Sequence, residues 1–346
     1  MSSNKDRVTH LLNKNILYMS EKSFKIIGVG SPIVDSLAKV SEDFVAGIEG
    51  AKGGMELLSS DEIASLISCI EAEVTQAPGG SAGNTIFAMS RLGDKTTFLG
   101  KLGNCDSADF YKNELSKLGG NTERFKIGSV PNGRCVSLVT PDSERTMRTD
   151  LGAAMTLSPD EISVEDFKDC QHAHIEGYVL FNRDLTYKVL KSAKEAGCSI
   201  SVDLASFEVV GAANDILKDL LKDYVDVVFA NEDEVRALLG DREDYPEMAK
   251  ELAKLCKVGV VKIGKDGSFV AEGDQVIPIE PVVAANAIDT TAAGDFWAAG
   301  FLHGWLEGKP HLESGKFGSI LGANVVQVMG SVLSDDTWSA IKGEVN

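Results

Sequence analysis

The chain reads as an α/β protein, a doubly wound and mostly parallel sheet with helices on both faces, plus a small β-sheet lid. Three observations predict this. Short β-prone runs, apolar on both faces, alternate with longer segments of helical spacing, the pattern of parallel strands buried between helices. Two stretches, at about 36–58 and 122–150, break the alternation with glycine-rich and hairpin-like sequence. No repeat, low-complexity tract or linker divides the 346 residues, and a 43% hydrophobic content suffices for one large core.

The elements follow in order. Residues 1–23, "MSSNKDRVTHLLNKNILYMSEKS", are interrupted by charges and read as an N-terminal tail, after which one domain spans 24–346. "FKIIGVGSPIVD", Phe24 to Asp35, reads as a buried strand ending in a glycine-containing turn. "DEIASLISCIEA" predicts a helix capped by Asp61 with Ile63, Leu66, Ile67 and Ile70 on one face; "SAGNTIFAMSRLG" predicts another closed by Gly93. "TTFLGKLG" is a strand and "SADFYKNELSKLGG" a helix. In "RCVSLVTPDSERTMRTD" a turn at Pro141, Asp142 and Ser143 joins two β-prone runs, so a hairpin is expected. Alternation resumes with strands "HAHIEGYVLF", "SISVDLA" and "VDVVFA", each followed by a helix: "RDLTYKVLKSAKEAG", "FEVVGAANDILKDLL" and "EDEVRALLG". Three strands, "VGVVKIG", "GSFVAEGD" and "QVIPIE", precede two largely apolar helices, "AGDFWAAGFLHGWLEG" and "SGKFGSILGANVVQVMG". The two interruptions are placed as a lid over the carboxyl edge of the sheet, where open α/β sheets bind ligands.

Charge narrows the function. The 34 Lys and Arg face 52 Asp and Glu, and the net charge of −18 repels nucleic acid and anionic membrane. No run approaches the roughly 20 apolar residues of a membrane span. Six scattered cysteines without a C-x-x-C pair read as reduced thiols, so a freely soluble cytoplasmic protein is expected.

Two glycine patterns are decoys. "GVGSPI" begins like a dinucleotide fingerprint, but Ile33 stands where the third glycine belongs, which weakens an NAD-dependent reading. Gly259 to Lys265 fits G-x-x-x-x-G-K, but its middle is a β-strand and cannot wrap a phosphate.

Other patterns carry chemistry. In "APGGSAGNTIFAMSRLG", Gly79 and Gly80 lead straight into a helix whose first turn carries Ser81 and Asn84. A ligand can approach such a backbone, and Asn84 can donate to and accept from hydroxyls; a flexible loop with a Ser cap is the competing use. Asp35 can reach the same cleft and accept from a vicinal diol, or serve as a turn residue. In "FANEDEVRALLG", Asn231 and Glu234 sit at i and i+3 of a helix start. They suit a cap, and equally magnesium held through water. In "VKIGKDGS", Gly264 and Gly267 flank a tight turn that is a plain hairpin or a phosphate contact. In "AIDTTAAGDFWAAG", the amides of Ala292, Ala293 and Gly294 precede a helix and form an anion pocket reinforced by its dipole. Asp295 on the first turn is a dipole partner, or a base for a hydroxyl attacking a phosphorus resting on those amides.

Together these residues resemble the PfkB, or ribokinase-like, family of small-molecule kinases. Asp289, Thr290, Thr291, Ala292, Ala293, Gly294 and Asp295 match the signature D-T-x-[GA]-A-G-D; Gly79, Gly80, Asn84, Arg91, Leu92 and Gly93 match the earlier one. The N-x-x-E pair falls on Asn231 and Glu234, and the nucleotide turn on Gly264 and Gly267. These four motifs stand in family order from about Phe24 to Ser334.

The resemblance implies a ribokinase-like fold using ATP and magnesium. It implies Asp295 as base, Ala292 to Gly294 as anion hole, and Asp35, Gly79, Gly80 and Asn84 as the sugar-moiety site. Asn231 and Glu234 would organise magnesium and phosphates with Glu176 nearby; Lys262, Gly264 and Gly267 would line the nucleotide, Lys262 replacing the more frequent Thr. Asp289, Thr291 and Ser334 stand where ligands of a monovalent cation, K+, would be. "ERTMRTDLGAAMTLSPDEI" and "EGYVL" are similar to the adenosine-kinase-like branch, with Arg145 as the lid arginine that reaches the transferring phosphate. Phe44, Met55, Leu57, Val136 and Leu138 are available to clamp a purine. Adenosine is the first expectation for the acceptor and a free sugar such as ribose or fructose the second; a non-catalytic nucleotide or sugar sensor is the reading from another class. Exposed lid edges point to a homodimer.

Overall fold

A computed structural model describes residues 22–142 and 144–345. Most of the N-terminal tail and the turn residue Ser143 therefore lie outside the described residues. Among the described residues, fifteen strands run in chain order. They are β1 (Phe24–Val29), β2 (Val34–Lys39), β3 (Met55–Leu57), β4 (Val74–Pro78), β5 (Thr96–Leu99), β6 (Lys101–Leu102), β7 (Lys126–Ile127) and β8 (Arg134–Val139). Then come β9 (Arg145–Asp150), β10 (Cys170–Glu176), β11 (Ser199–Asp203), β12 (Val227–Asn231), β13 (Val258–Lys262), β14 (Ser268–Glu272) and β15 (Gln275–Ile279).

Eight of them make the main sheet in the order β15-β14-β13-β12-β11-β10-β1-β5, parallel except for β14 and β15 at one edge. Its strands are apolar on both faces for a visible reason. Ile27, Val29, Ile175, Val202, Val228 and Val261 pack under helices Arg183–Glu195, Phe207–Tyr224 and Tyr245–Leu252. Ile26, Phe98, Val227, Phe229, Val258 and Val260 pack against helices Ser81–Leu92, Asp106–Lys117, Ala293–Leu306 and His311–Val325 on the other side. Successive strand residues thus enter two different cores, as period-two side chains must.

The second sheet has the order β3-β9-β8-β2-β4. The β8 and β9 hairpin is antiparallel as expected, from Arg134 opposite Asp150 to Val139 opposite Arg145. Its outer face packs Val136 and Leu138 on Val45 and Ile63, with Phe44 against the same cluster. The helix carrying Ile63 spans Ser60–Ser68 and is capped by Ser59 with Glu62, not by Asp61 as its sequence suggests; the Ser59 hydroxyl and Glu62 carboxylate make a full capping box. The Phe24–Asp35 segment is also not one strand: it breaks after Val29, and Asp35 belongs to β2 of the small sheet. Strand β4 and the helices Tyr245–Leu252 and Asp335–Val345 were not legible as elements. Among the described residues no helix is long and apolar enough to cross a membrane, and the six cysteines are unpaired.

Candidate active site

The carboxyl ends of β10 to β13 carry Glu176, Asp203, Asn231 and Lys262, and the charges of Asp203 and Lys262 act on the first turn of the Ala293–Leu306 helix. Asp295 lies on the first turn of that helix. One of its oxygens accepts from the Ser81 hydroxyl at 2.7 Å, and the other from Asn84 Nδ2 at 2.9 Å. Thr85 Oγ1 also donates to the Asp295 carbonyl at 3.1 Å. Two helix N-termini far apart in sequence are thereby locked face to face around one carboxylate. Burial, then the charge of Asp203, pushes the Asp295 carboxyl up to about 7, although Asn84, Ser81 and Lys262 pull the other way. A carboxylate with that proton affinity suits general-base work near neutrality.

The neighbouring amides are mostly free. Among the described residues the Ala292 and Gly294 N–H groups have no hydrogen-bond acceptor, whereas Ala293 N–H donates to the Thr290 carbonyl at 3.1 Å. A Cβ on Gly294 would lie 2.9 Å from Lys262 Nζ, the far end of a flexible side chain.

Lys262 ends β13 and pairs with Asp203 Oδ2 at 2.8 Å. Burial opposes its charge, but Asp203 and Glu234, with Asp295, outweigh that and hold the ammonium above its usual range. The other Asp203 oxygen accepts from the amide of Ala205, whose φ of 65° keeps the loop folded back. Asp203 was missed in the sequence; its only signal is a lone carboxylate at the end of "SISVDLA".

Asn231 and Glu234 form a closed capping box. Glu234 N donates to Asn231 Oδ1 at 2.9 Å, while Asn231 N and Nδ2 donate to the two Glu234 oxygens, each at 2.8 Å. Burial and the neighbouring Asp203 raise Glu234 to about 7. Glu176 ends β10 at the same edge of the sheet, paired in register with Asp203. It accepts from Ser31 N at 2.8 Å and Ala82 N at 3.2 Å, so it closes the Ser81–Leu92 helix start against β1. Burial lifts its carboxyl to about 7.

On the small-sheet side, Asp35 lies over Gly79: a Cβ on Gly79 would fall 2.5 Å from Asp35 Oδ2. Gly80 is held at φ 85°, and a side chain would run into the Ser31 carbonyl. Burial, countered by Arg145 and reinforced by Asp289, raises the Asp35 carboxyl to about 6. Arg145 spans the cleft, donating to Asp289 Oδ2 at 2.5 Å, Thr291 Oγ1 at 2.7 Å and Ser137 Oγ at 2.7 Å. Asp289 also accepts from Thr291 Oγ1 at 2.6 Å, Gly330 N at 2.8 Å and Thr291 N at 3.0 Å, and these bonds, with the Arg145 charge, keep its carboxyl below the usual range despite burial. It fixes the loop; Arg145 supplies its counter-charge. Ser334 is not in this cluster: its hydroxyl accepts from Thr337 N at 3.1 Å as the cap of the Asp335–Val345 helix.

The Val136 and Leu138 side chains point away from the cleft into the outer cluster, and Phe44 packs with them. Cleft-facing positions on β2, β3, β8 and β9 are Asp35, Leu37, Met55, Leu57, Cys135, Ser137 and Met147, as their pairing register with Asp35 and Ser137 requires. Met55 and Leu57 are 55% and 63% exposed there and remain available to a flat apolar group. Past the end of β13, Gly264 (φ 55°) and Gly267 (φ 101°) bracket a single 3-10 turn between β13 and β14. A Cβ on Gly267 would strike the Ile279 carbonyl.

A helix-start carboxylate with a raised proton affinity beside free amides and a lysine is the layout of a phosphoryl-transfer site, and residues 61–338 match the family described as pfkB family carbohydrate kinase. The chain belongs to the PfkB family. It is 29% identical over 309 residues to an adenosine kinase of Dictyostelium discoideum, covering 83% of this chain and 90% of that one. It is also 29% identical over 278 residues to a ribokinase of Arabidopsis thaliana, covering 76% of this chain and 71% of that one. The crystal structure of adenosine kinase from Sinorhizobium meliloti superposes with a TM-score of 0.81 at 28% identity, covering 92% of this chain and 99% of that one. The fold is ribokinase-like, and the chain is a PfkB sugar or nucleoside kinase: a phosphotransferase that uses ATP and a hydroxyl acceptor.

Magnesium use goes with that chemistry, and the donor set fits it. Lys262 is outnumbered by Asp203, Glu234 and Asp295, so the pocket has negative charge to spare. Magnesium keeps most of its waters and needs one or two carboxylates.

Proposed function

We propose that this PfkB kinase transfers the γ-phosphoryl group of ATP to the primary hydroxyl of a ribose-containing acceptor, with adenosine as the substrate. The observation that carries the reading is Asp295: its carboxyl, at about 7, is held by Ser81 and Asn84 between the two helix starts. Asp295 takes the hydroxyl proton as the oxygen attacks phosphorus. The amides of Ala292 and Gly294 receive the charge that develops on the phosphoryl oxygens, with Ala293 keeping the turn in shape. Asp35, over Gly79 and Gly80, accepts from the ribose diol. The carbonyl oxygen of Asn84 is buried without a donor and can take a further acceptor hydroxyl.

Asn231, Gly264 and Gly267 line the nucleotide, and Glu234 would hold magnesium, which would offset phosphate charge. Arg145 reaches from the small sheet to the phosphoryl pocket through Asp289 and Thr291. Its guanidinium already serves Asp289 as counter-charge, and Ser334 caps a helix.

Adenosine is preferred over a free sugar for two reasons. Met55 and Leu57 offer apolar surface on the cleft face of the small sheet, which a purine would cover and a bare sugar would leave wet. Two of the similar proteins carry the name adenosine kinase. The test is ADP release with ATP and magnesium over a panel of adenosine, inosine, ribose and fructose. Turnover of adenosine at a kcat/KM at least about tenfold above every sugar is expected. An inert adenosine beside an active sugar overturns the choice of acceptor.

A further inference from the structure

The carboxyl end of β13 places a lysine where no general feature of an anion pocket requires one. Lys262 Nζ is bonded to Asp203 Oδ2 at 2.8 Å, and it lies 2.9 Å from the point a Cβ of Gly294 would occupy. That point is beside the backbone amide already assigned to the phosphoryl oxygens. The lysine side chain is 12% exposed and its Asp203 partner 6%, so the pair is shielded from bulk water. Phe229 closes one side of it, with the ammonium 5.9 Å from the ring centroid.

We infer that Lys262 is a further catalytic residue, whose ammonium leaves Asp203 in part to donate to an oxygen of the transferring phosphoryl group beside Gly294. The inference rests on the phosphotransferase reading of this site but not on the identity of the acceptor. Three features favour it over a purely structural ion pair. An ammonium has three donors, of which Asp203 takes one. The glycine facing it is bare, so nothing but a methyl-sized space separates the ammonium from the anion pocket. And Asp203 is itself anchored, through its second oxygen, to the Ala205 amide, so it holds its place when the lysine swings.

A cation so placed adds little to the binding of ATP in the ground state and more as charge moves onto the transferred oxygens. No bond to nitrogen forms: the proton of the acceptor goes to Asp295, and Lys262 keeps its own.

The experiment uses the full chain and whichever acceptor the panel finds active. K262T is expected to lower kcat by about 10²–10³ while the KM for ATP moves by less than about fivefold. The double variant K262T/D203N, which removes the Asp203 carboxylate that K262T alone would leave unpaired, is expected to recover the melting temperature of the wild type but not its kcat. A second measurement does not depend on any variant folding. In a crystal structure of the wild-type protein with ADP, magnesium and aluminium fluoride, Lys262 Nζ is expected at hydrogen-bond distance from a fluoride. A K262T enzyme with kcat within about threefold of the wild type, recovery of kcat in the double variant, or a lysine still bonded to Asp203 alone in the fluoride complex would each overturn the assignment. If adenosine is inert and a sugar is turned over, the acceptor reading fails and this test stands unchanged.

Discussion

Replacing Asp295 by asparagine should separate activity from stability, because the same burial that makes the carboxylate a base makes it costly to hold. The change keeps the local contacts. The new carbonyl can accept from Asn84 Nδ2, and the new amide can donate to the Ser81 hydroxyl, which turns to accept. What is lost is the charge and the basicity. Loss of general-base catalysis should lower kcat by roughly 10²–10⁴. Stability should move the other way.

A rise in the carboxyl from 3.8 to about 7 corresponds to on the order of 4 kcal/mol against ionisation in the folded state. Solvent reaching the open side of the site screens part of this, which leaves on the order of 2 kcal/mol at pH 8. The sign follows from linkage. Between pH 4 and 7 the folded state retains a proton that the unfolded chain has lost, so this group's contribution to stability falls as pH rises through that window. D295N should therefore melt a few degrees above the wild type at pH 8, and the gap should close toward pH 5. Melting curves at both values, with steady-state rates at pH 8, make the assay. Near-normal turnover in D295N would refute the base assignment. A variant that melts lower at pH 8 would refute the claim that the buried charge is a burden.

Further outcomes follow from the same geometry. In the wild type, kcat/KM should rise with pH through an acid limb near pH 7, where Asp295 ionises, and D295N should lack that limb; a flat wild-type profile from pH 5 to 8 speaks against a raised carboxyl. G294A should keep the melting temperature, since alanine suits a helix, yet lose about 10–100-fold in kcat because its methyl meets Lys262 Nζ and fills the anion pocket. Unchanged turnover in G294A would show that the phosphoryl group does not approach there. R145A leaves Asp289 buried without its guanidinium, and chemical denaturation should record a loss of about 1.5–3 kcal/mol together with reduced kcat/KM. A loss of activity alone would place Arg145 in catalysis without a part in holding the loop.

Much of the site was legible because its motifs are local. Asp289 to Asp295 spell a loop entering a helix, and Gly79 to Asn84 spell a second; the structure sets these two helix starts against each other through Asp295, Ser81 and Asn84. Glycine at 80 is forced by a positive φ and a carbonyl in contact, a requirement that the residue type already betrays. Capping was less legible. The box between Ser59 and Glu62 starts two residues before Asp61, since "SSDE" offers three capping residues in a row and only the backbone decides which one stays extended.

By itself the sequence determined the alternating α/β order, the two glycine-led helix starts, the β8 and β9 hairpin and the set of residues capable of phosphoryl chemistry, because each of these is written within a few neighbouring positions. The tertiary structure alone decided which face of each small-sheet strand looks into the cleft. In "RCVSLV", Cys135 and Ser137 alternate with Val136 and Leu138, and either set can face a ligand. The packing of Val136 and Leu138 on Val45 and Ile63 sends the apolar set outward and leaves Ser137 to meet Arg145. It also decided that Asp203 and Lys262, 59 residues apart, share one hydrogen bond beneath Gly294. A pairing made between separate strands has no local spacing to announce it.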